Sequence, residues 1–285
     1  MFQSSTVDSN IITMRAKYDK QREQIDNAIN KPKSATDIYD EQVEEGRAEH
    51  KRSIKGLFMS SIAGGMEVGF TLLLVGIMYT LFSNQLSPSL LHLILALSYP
   101  IGFVFVIIGR SELFTEHTNL AFTPVLNGLV SIKSLLKVWG LVYIGNLVGG
   151  YLISFILTIL GPSMNIISKE AFYSVAHKLV DHPFHIILIS SIVAGWLMGL
   201  LSWLVSSSQE TISRIFMVYL VTSLIGIGGL HHSIVGSIEV FAGLLITDIT
   251  FGEYGHFQLW STLGNILGGV IFVSVLKFSA VKKNK

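Results

Sequence analysis

Six stretches of this chain, residues 56–82, 90–130, 135–160, 184–206, 212–247 and 259–279, stay apolar for long enough to cross a bilayer. The hydrocarbon core is about 30 Å thick and takes roughly 20 residues of helix to span. A soluble helix hides one apolar stripe and shows a polar face, and these segments show almost no polar face. Backbone polar groups cannot stay unpaired in lipid, so the segments are expected to be helices. The fold class that follows is an all-α integral membrane protein with six transmembrane helices. Two stretches, 90–130 and 212–247, are too long for one straight helix, and both carry polar residues midway.

Charge divides the chain. Residues 1–55 hold ten basic and ten acidic residues, and the remaining 230 hold only nineteen charges. We expect a disordered cytoplasmic tail over 1–33, because it offers too little apolar surface to offset the entropy of ordering. An amphipathic cytoplasmic helix follows over 34–55, with Ile38 and Val43 as its apolar contacts. The channel domain occupies 56–280, and 281–285 form a C-terminal tail. Residues 1–10 have neither a basic start nor an apolar core, so no cleavable signal peptide is expected. A net charge of +1 supplies no basic patch for nucleic acid. The absence of cysteine excludes disulfides, thiolate metal sites and thiol chemistry.

Lys and Arg set the orientation. With both termini inside, the inner ends receive Lys51, Arg52, Lys55, Lys133, Lys137, Arg214, Lys277, Lys282, Lys283 and Lys285. The outer loops receive only Lys169 and Lys178. Both termini are therefore expected in the cytoplasm, in a multi-pass protein of the plasma (inner) membrane.

Gly145-Asn146-Leu147-Val148-Gly149-Gly150 returns as Gly264-Asn265-Ile266-Leu267-Gly268-Gly269. Ser60-Ser61-Ile62, with glycines at 65 and 69, returns as Ser190-Ser191-Ile192, with glycines at 195 and 199. Both matches lay the first half of the body on the second. Three spans per half reverse direction across the membrane, so the spans form two inverted three-helix repeats. The glycines at spacing four let helix backbones approach closely.

The second and fifth spans are expected to break. Residues 110–119 interrupt one with Arg110, Glu112, Thr115, Glu116 and His117, and residues 226–233 interrupt the other with glycines, His231 and His232. Irregular backbone at membrane depth is tolerated only inside protein or beside a polar cavity, and paired broken helices mark transport sites. Half-helix N-termini carry partial positive charge, which suits an anion.

Leu113-Phe114-Thr115, Tyr143-Ile144-Gly145-Asn146-Leu147-Val148-Gly149 and His232-Ser233-Ile234 resemble the formate/nitrite transporters over roughly residues 52–277. Glu116-His117-Thr118 and Gly236-Ser237-Ile238-Glu239 look closer to a less characterised branch than to the formate channels. The resemblance implies an aquaporin-like protomer in a homopentamer, one pore per subunit, a small anion or its conjugate weak acid as substrate, no cofactor and no enzymatic activity. It implies Thr115 and His232 at the pore centre. It implies Leu113, Phe103 and Met198 at the cytoplasmic constriction, Tyr99 and Ile225 at the periplasmic one, and Lys178 in the outer vestibule.

This sequence departs from the family's pattern at Gly236, at His231 and in the charge crowding the first break. Arg110, Glu112, Glu116 and His231 either face the pore or pin the loop, Arg110 then pairing with Glu112 or Glu116. Glu116 in the pore would favour a neutral or cationic solute. Glu67 and Glu239 are expected at helix or subunit contacts. A metalloenzyme built on these carboxylates and histidines lacks the Glu followed three residues later by His of helix-bundle sites. A water or glycerol channel lacks its Asn-Pro-Ala pair. A non-conducting scaffold is the remaining alternative.

Overall fold

A computed structural model describes residues 14, 15, 17–22 and 32–282. Residues 1–13, 16, 23–31 and 283–285, with most of the expected N-terminal tail and the C-terminal end, lie outside the described residues. Where disorder was expected, Met14, Arg15 and residues 17–22 are helical. They are lysine-, arginine- and glutamine-containing segments of good intrinsic helix propensity.

The chain divides into two compact units, Met1–Asp37 and Ile38–Lys285. In the first, Ser34 and Asp37 bond reciprocally: the Asp37 N–H donates to Ser34 Oγ at 3.2 Å, and Ser34 N–H donates to Asp37 Oδ2 at 3.0 Å. That exchange starts α1 (Ala35–Lys51).

Among its described residues, the regular structure of the second unit is all helix. Ser53 caps α2 (Ile54–Val68), which kinks at Gly69 and continues as α3 (Phe70–Phe82). Ser87 caps α4 (Pro88–Ser98), with proline at the first helical position, where no N–H is needed. After Tyr99 and Pro100 come α5 (Ile101–Ile108) and, beyond a break, α6 (Phe114–Leu126). Ser131 caps the long α7 (Ile132–Ser163). Ser168 caps α8 (Lys169–Val180), a short amphipathic helix that buries Ala171, Phe172 and Ala176. It stands where sequence alone suggested only a loop. Then follow α9 (Phe184–Ser207), α10 (Thr211–Gly228) and, beyond the second break, α11 (Ser233–Ile246). A Thr250–Glu253 capping box starts α12 (Phe251–Leu267), which runs through a π-helical stretch, Gly268–Val275, into α13 (Leu276–Lys282). Among the described residues, five helices are long and apolar enough to cross a membrane: Ile54–Phe82, Pro88–Ile108, Ile132–Ser163, Phe184–Ser207 and Thr211–Gly228.

The repeated glycines seat helices against each other. A Cβ on Gly65 would lie 2.2 Å from the carbonyl oxygen of Asn146, and one on Gly195 would lie 2.3 Å from that of Asn265. A Cβ on Gly149 or Gly268 would lie 2.0 Å from the oxygen of Ile62 or Ile192. So α2 meets α7 in the first half as α9 meets α12 in the second.

Beyond Asp37, α1 lies along one end of the bundle. Ile38, Tyr39 and Val43 share a buried cluster with Trp203 and Val281. Gln42 Nε2 donates to Ser202 Oγ at 3.2 Å. A Cβ on Gly46 would lie 2.2 Å from the Leu120 carbonyl oxygen, so only glycine lets α1 approach α6 so closely.

Candidate pore

Both breaks are built the same way from equivalent residues. Arg110 (φ 61°) and Gly229 (φ 58°) each turn the chain into the left-handed region. The Ser111 N–H then donates to Val106 at 3.0 Å, and the Leu230 N–H to Ile225 at 3.0 Å. Leu113 (φ −116°, ψ 120°) and His232 (φ −107°, ψ 121°) are the extended residues from which α6 and α11 start. Left-handed geometry suits glycine, and a β-carbon there costs about 1–2 kcal/mol.

The two repeated asparagines hold these turns. Asn146 Oδ1 accepts the Phe114 N–H at 2.8 Å, while its Nδ2 donates to the carbonyls of Ser61 (2.7 Å) and Glu112 (2.8 Å). Asn265 Oδ1 accepts the Ser233 N–H at 2.8 Å, and its Nδ2 donates to Ser191 (2.8 Å) and His231 (3.1 Å). Each amide thus pairs one N–H and one carbonyl of the break and ties them to a carbonyl of the neighbouring helix, α2 or α9. The asparagines were visible in the repeat, but the glycines beside them drew the packing explanation, and the clamp needs the fold to be seen.

At the junction Thr115 and His232 meet, with Oγ1 and Nε2 2.7 Å apart. The Val235 N–H donates to His232 Nδ1 at 3.2 Å. A backbone N–H only donates, so Nδ1 carries no proton, Nε2–H donates to Thr115, and the hydroxyl hydrogen of Thr115 is left available. The edge of Phe103 packs on the His232 ring at 5.1 Å, and Tyr99 packs on Phe103 at 5.4 Å. Phe103, Leu113 and Met198 are fully buried in one hydrophobic cluster with Ile225.

Two cavities flank this apolar layer. The first, about 90 Å³, is lined by Tyr99, Lys178, Ile225, His232, Gly236 and Glu239, among others. The second, about 380 Å³, lies under α1 and is lined by Arg52, Ile107, Arg110, Arg214, His117 and the carboxylates of Glu41, Glu45, Glu49, Glu112 and Glu116, among others. Tyr99, Phe103 and Ile107 are one turn apart on a single helix face. Tyr99 lines the first cavity, Ile107 the second, and Phe103 neither. The first broken span therefore runs from the Lys178 side to the α1 side. The second runs the other way, from Thr211 and Arg214 to Ile225 and Glu239.

Lys178 is steadied by His92. The His92 Nε2–H donates to the Ile227 carbonyl at 2.8 Å, which leaves Nδ1 to face the Lys178 ammonium at 3.5 Å. Burial lowers the Lys178 pKa, and Glu239 opposes that shift. Glu239 lines this cavity with Lys178 and His232, not the helix contact expected for it. Its distance from the break in sequence hid it.

His231 lines neither cavity. Its N–H and Nδ1 bond Ser190 Oγ (3.1 and 2.9 Å), and Nε2 bonds the Leu179 carbonyl at 3.2 Å, so it pins the break. At the first break Arg110 pairs with neither Glu112 nor Glu116, contrary to expectation. Arg110 is mostly exposed and lies 3.6 Å from Glu45 of α1, while the buried Glu112 pairs with Arg52. The left-handed turn at Arg110 sends its side chain toward α1 instead of back to the break. Glu116 is buried on the wall of the second cavity. Burial raises the pKa of Glu49 on α1 to about 7, against the opposing charge of His117.

Comparisons with known proteins agree with this architecture. The inner membrane protein YfdC of Escherichia coli (strain K12) is 26% identical over 256 residues, covering 89% of this chain and 81% of that protein. A solved structure described as an FNT family ion channel superimposes with a TM-score of 0.77 at 26% identity, covering 86% of this chain and 99% of the other. A pentameric formate channel with formate bound has the same fold, with a TM-score of 0.67 at 20% identity over 80% of this chain and 97% of that one. The sequence model described as "Formate/nitrite transporter" matches residues 36–279. This chain is a multi-pass membrane protein of the formate/nitrite transporter family.

Proposed function

We propose that each protomer conducts a small monovalent anion of the formate or nitrite kind, crossing as its conjugate weak acid. The observation that carries the proposal is the Thr115–His232 pair, a polar contact inside an apolar layer with a cavity on either side. An unpaired anion in a dry constriction meets an idealised penalty on the order of 20 kcal/mol. Neutralising an acid of pKa about 4 at pH 7 costs about 4 kcal/mol, so the neutral form is the cheaper traveller. Lys178 gathers the anion outside. Leu113, Phe103 and Met198 form the inner constriction and Tyr99 and Ile225 the outer one. At the centre the hydroxyl hydrogen of Thr115 meets the solute oxygen.

The protomer sits in the inner membrane with both termini cytoplasmic, as one subunit of a homopentamer, and its six spans form two inverted halves. The resemblance to the pentameric formate channel supports that assembly.

The test is flux into proteoliposomes. His232→Phe keeps the volume and the contact with Phe103 but removes the bond to Thr115. It is expected to cut formate or nitrite flux at least about tenfold, the equivalent of about 1.4 kcal/mol in the barrier. Unchanged flux with normal assembly removes His232 from the path.

One observation favours a second reading. Five carboxylates against three arginines line the inner cavity, which repels anions and welcomes a neutral or cationic solute. Ammonium uptake exceeding formate uptake at every pH tested would select it.

A further inference from the structure

Where α1 meets the first break, Glu49 of α1, Glu112 of the break and His117 of α6 converge. One ligand-capable atom of each lies within 4.8 Å of the others. His117 Nε2 is 3.3 Å from Glu49 Oε1, and Nδ1 is 2.7 Å from Glu112 Oε2. Glu49 Oε2 is closed off from solvent with no hydrogen-bond partner, and the close His117 Nδ1–Glu112 Oε2 contact is likewise shut off from solvent and lacks hydrogen-bond geometry. The three residues are only 7, 4 and 8% exposed. A buried polar atom left unpaired costs about 1–3 kcal/mol, and more when charged. Arg52 pairs with Oε1 of Glu112, so two carboxyl groups and one imidazole share this buried space with a single guanidinium.

We propose that Glu49, Glu112 and His117 form a site for a first-row divalent transition-metal ion, which fastens α1 to α6 and the first break. One imidazole and two carboxylates are a donor set suited to zinc or manganese, whereas calcium and magnesium prefer oxygen alone. The three residues also line the 380 Å³ cavity, from which water completes the coordination. The Thr115–His232 contact at the centre of the pore uses none of these atoms.

The experiment measures metal, not flux, on tag-free full-length protein in detergent. After dialysis against zinc and then metal-free buffer, elemental analysis is expected to find one zinc per protomer. Glu49→Gln and His117→Gln are each expected to weaken binding at least tenfold, and zinc is expected to protect α1 from protease. Cobalt titrated into the unaltered protein is expected to produce the visible absorption of a nitrogen- and oxygen-ligated ion, a readout that survives a variant's failure to fold. No retained zinc together with no cobalt bands overturns the proposal and leaves a charge-balanced Arg52–Glu112–His117–Glu49 network holding only a proton. Binding that persists undiminished in both folded variants also overturns it.

Discussion

Asn146 and Asn265 are the residues on which the breaks depend most. Each pairs an N–H and a carbonyl of its break and fastens them to a carbonyl inside the neighbouring helix. Polar contacts between membrane helices contribute about 0.6 kcal/mol apiece, so Asn146→Ala or Asn265→Ala is expected to cost about 2 kcal/mol. Unfolding in mixed detergent measures that loss. Asp at either position keeps the acceptor and loses both donors, so it is not expected to rescue. Arg110 is the opposite case, an arginine in a conformation that suits the glycine at the equivalent turn. Arg110→Gly relieves that strain and removes only an exposed contact to Glu45, so a raised melting temperature is expected.

Two elements, α1 and α8, close the ends of the bundle without spanning it. The α1 seat requires Gly46, since a side chain there meets the Leu120 carbonyl and Pro124. Gly46→Val is expected to free α1, seen as rapid proteolysis in a protein whose body still resists. The α8 tie is electrostatic. His177 lies 3.1 Å from Asp181 and 3.0 Å from Asp248, and Tyr173 stacks on its ring at 4.0 Å. Burial lowers its pKa, but the bonds to Asp248 and Asp181 outweigh that and leave it raised. A raised histidine stabilises fully below its ordinary pKa of 6.5 and loses that contribution as pH rises through the elevated value. Hydrogen-exchange protection of α8, corrected for the intrinsic pH dependence of amide exchange, is therefore expected to fall above neutral pH, and Asp248→Asn is expected to lessen that fall.

At the scale of the whole molecule, large apolar side chains such as Phe105, Leu136, Phe155, Ile189 and Phe216 remain exposed on the protomer. Lipid or neighbouring subunits must cover them, because a soluble monomer rarely leaves so much apolar surface bare. Native mass spectrometry is expected to give five copies per particle. The lack of cysteine makes the topology directly readable. Lys55→Cys is expected to react with a membrane-impermeant maleimide only from the inside, and Lys169→Cys only from the outside.

The helices and the two breaks were legible in the chain because they rest on local properties: apolar length, caps such as Ser53 and Ser131, and polar residues inside apolar runs. Leu113-Phe114-Thr115 and His232-Ser233-Ile234 carried the family resemblance by the same route. What only the tertiary structure decided depends on distant residues sharing one low-dielectric space. That space places Glu239 beside Lys178, gives Glu112 to Arg52 instead of Arg110, and turns the repeated asparagines into clamps. No local pattern encodes which buried charge answers which. Burial penalises every unpaired one, and the packed fold alone determines who is near enough to pair.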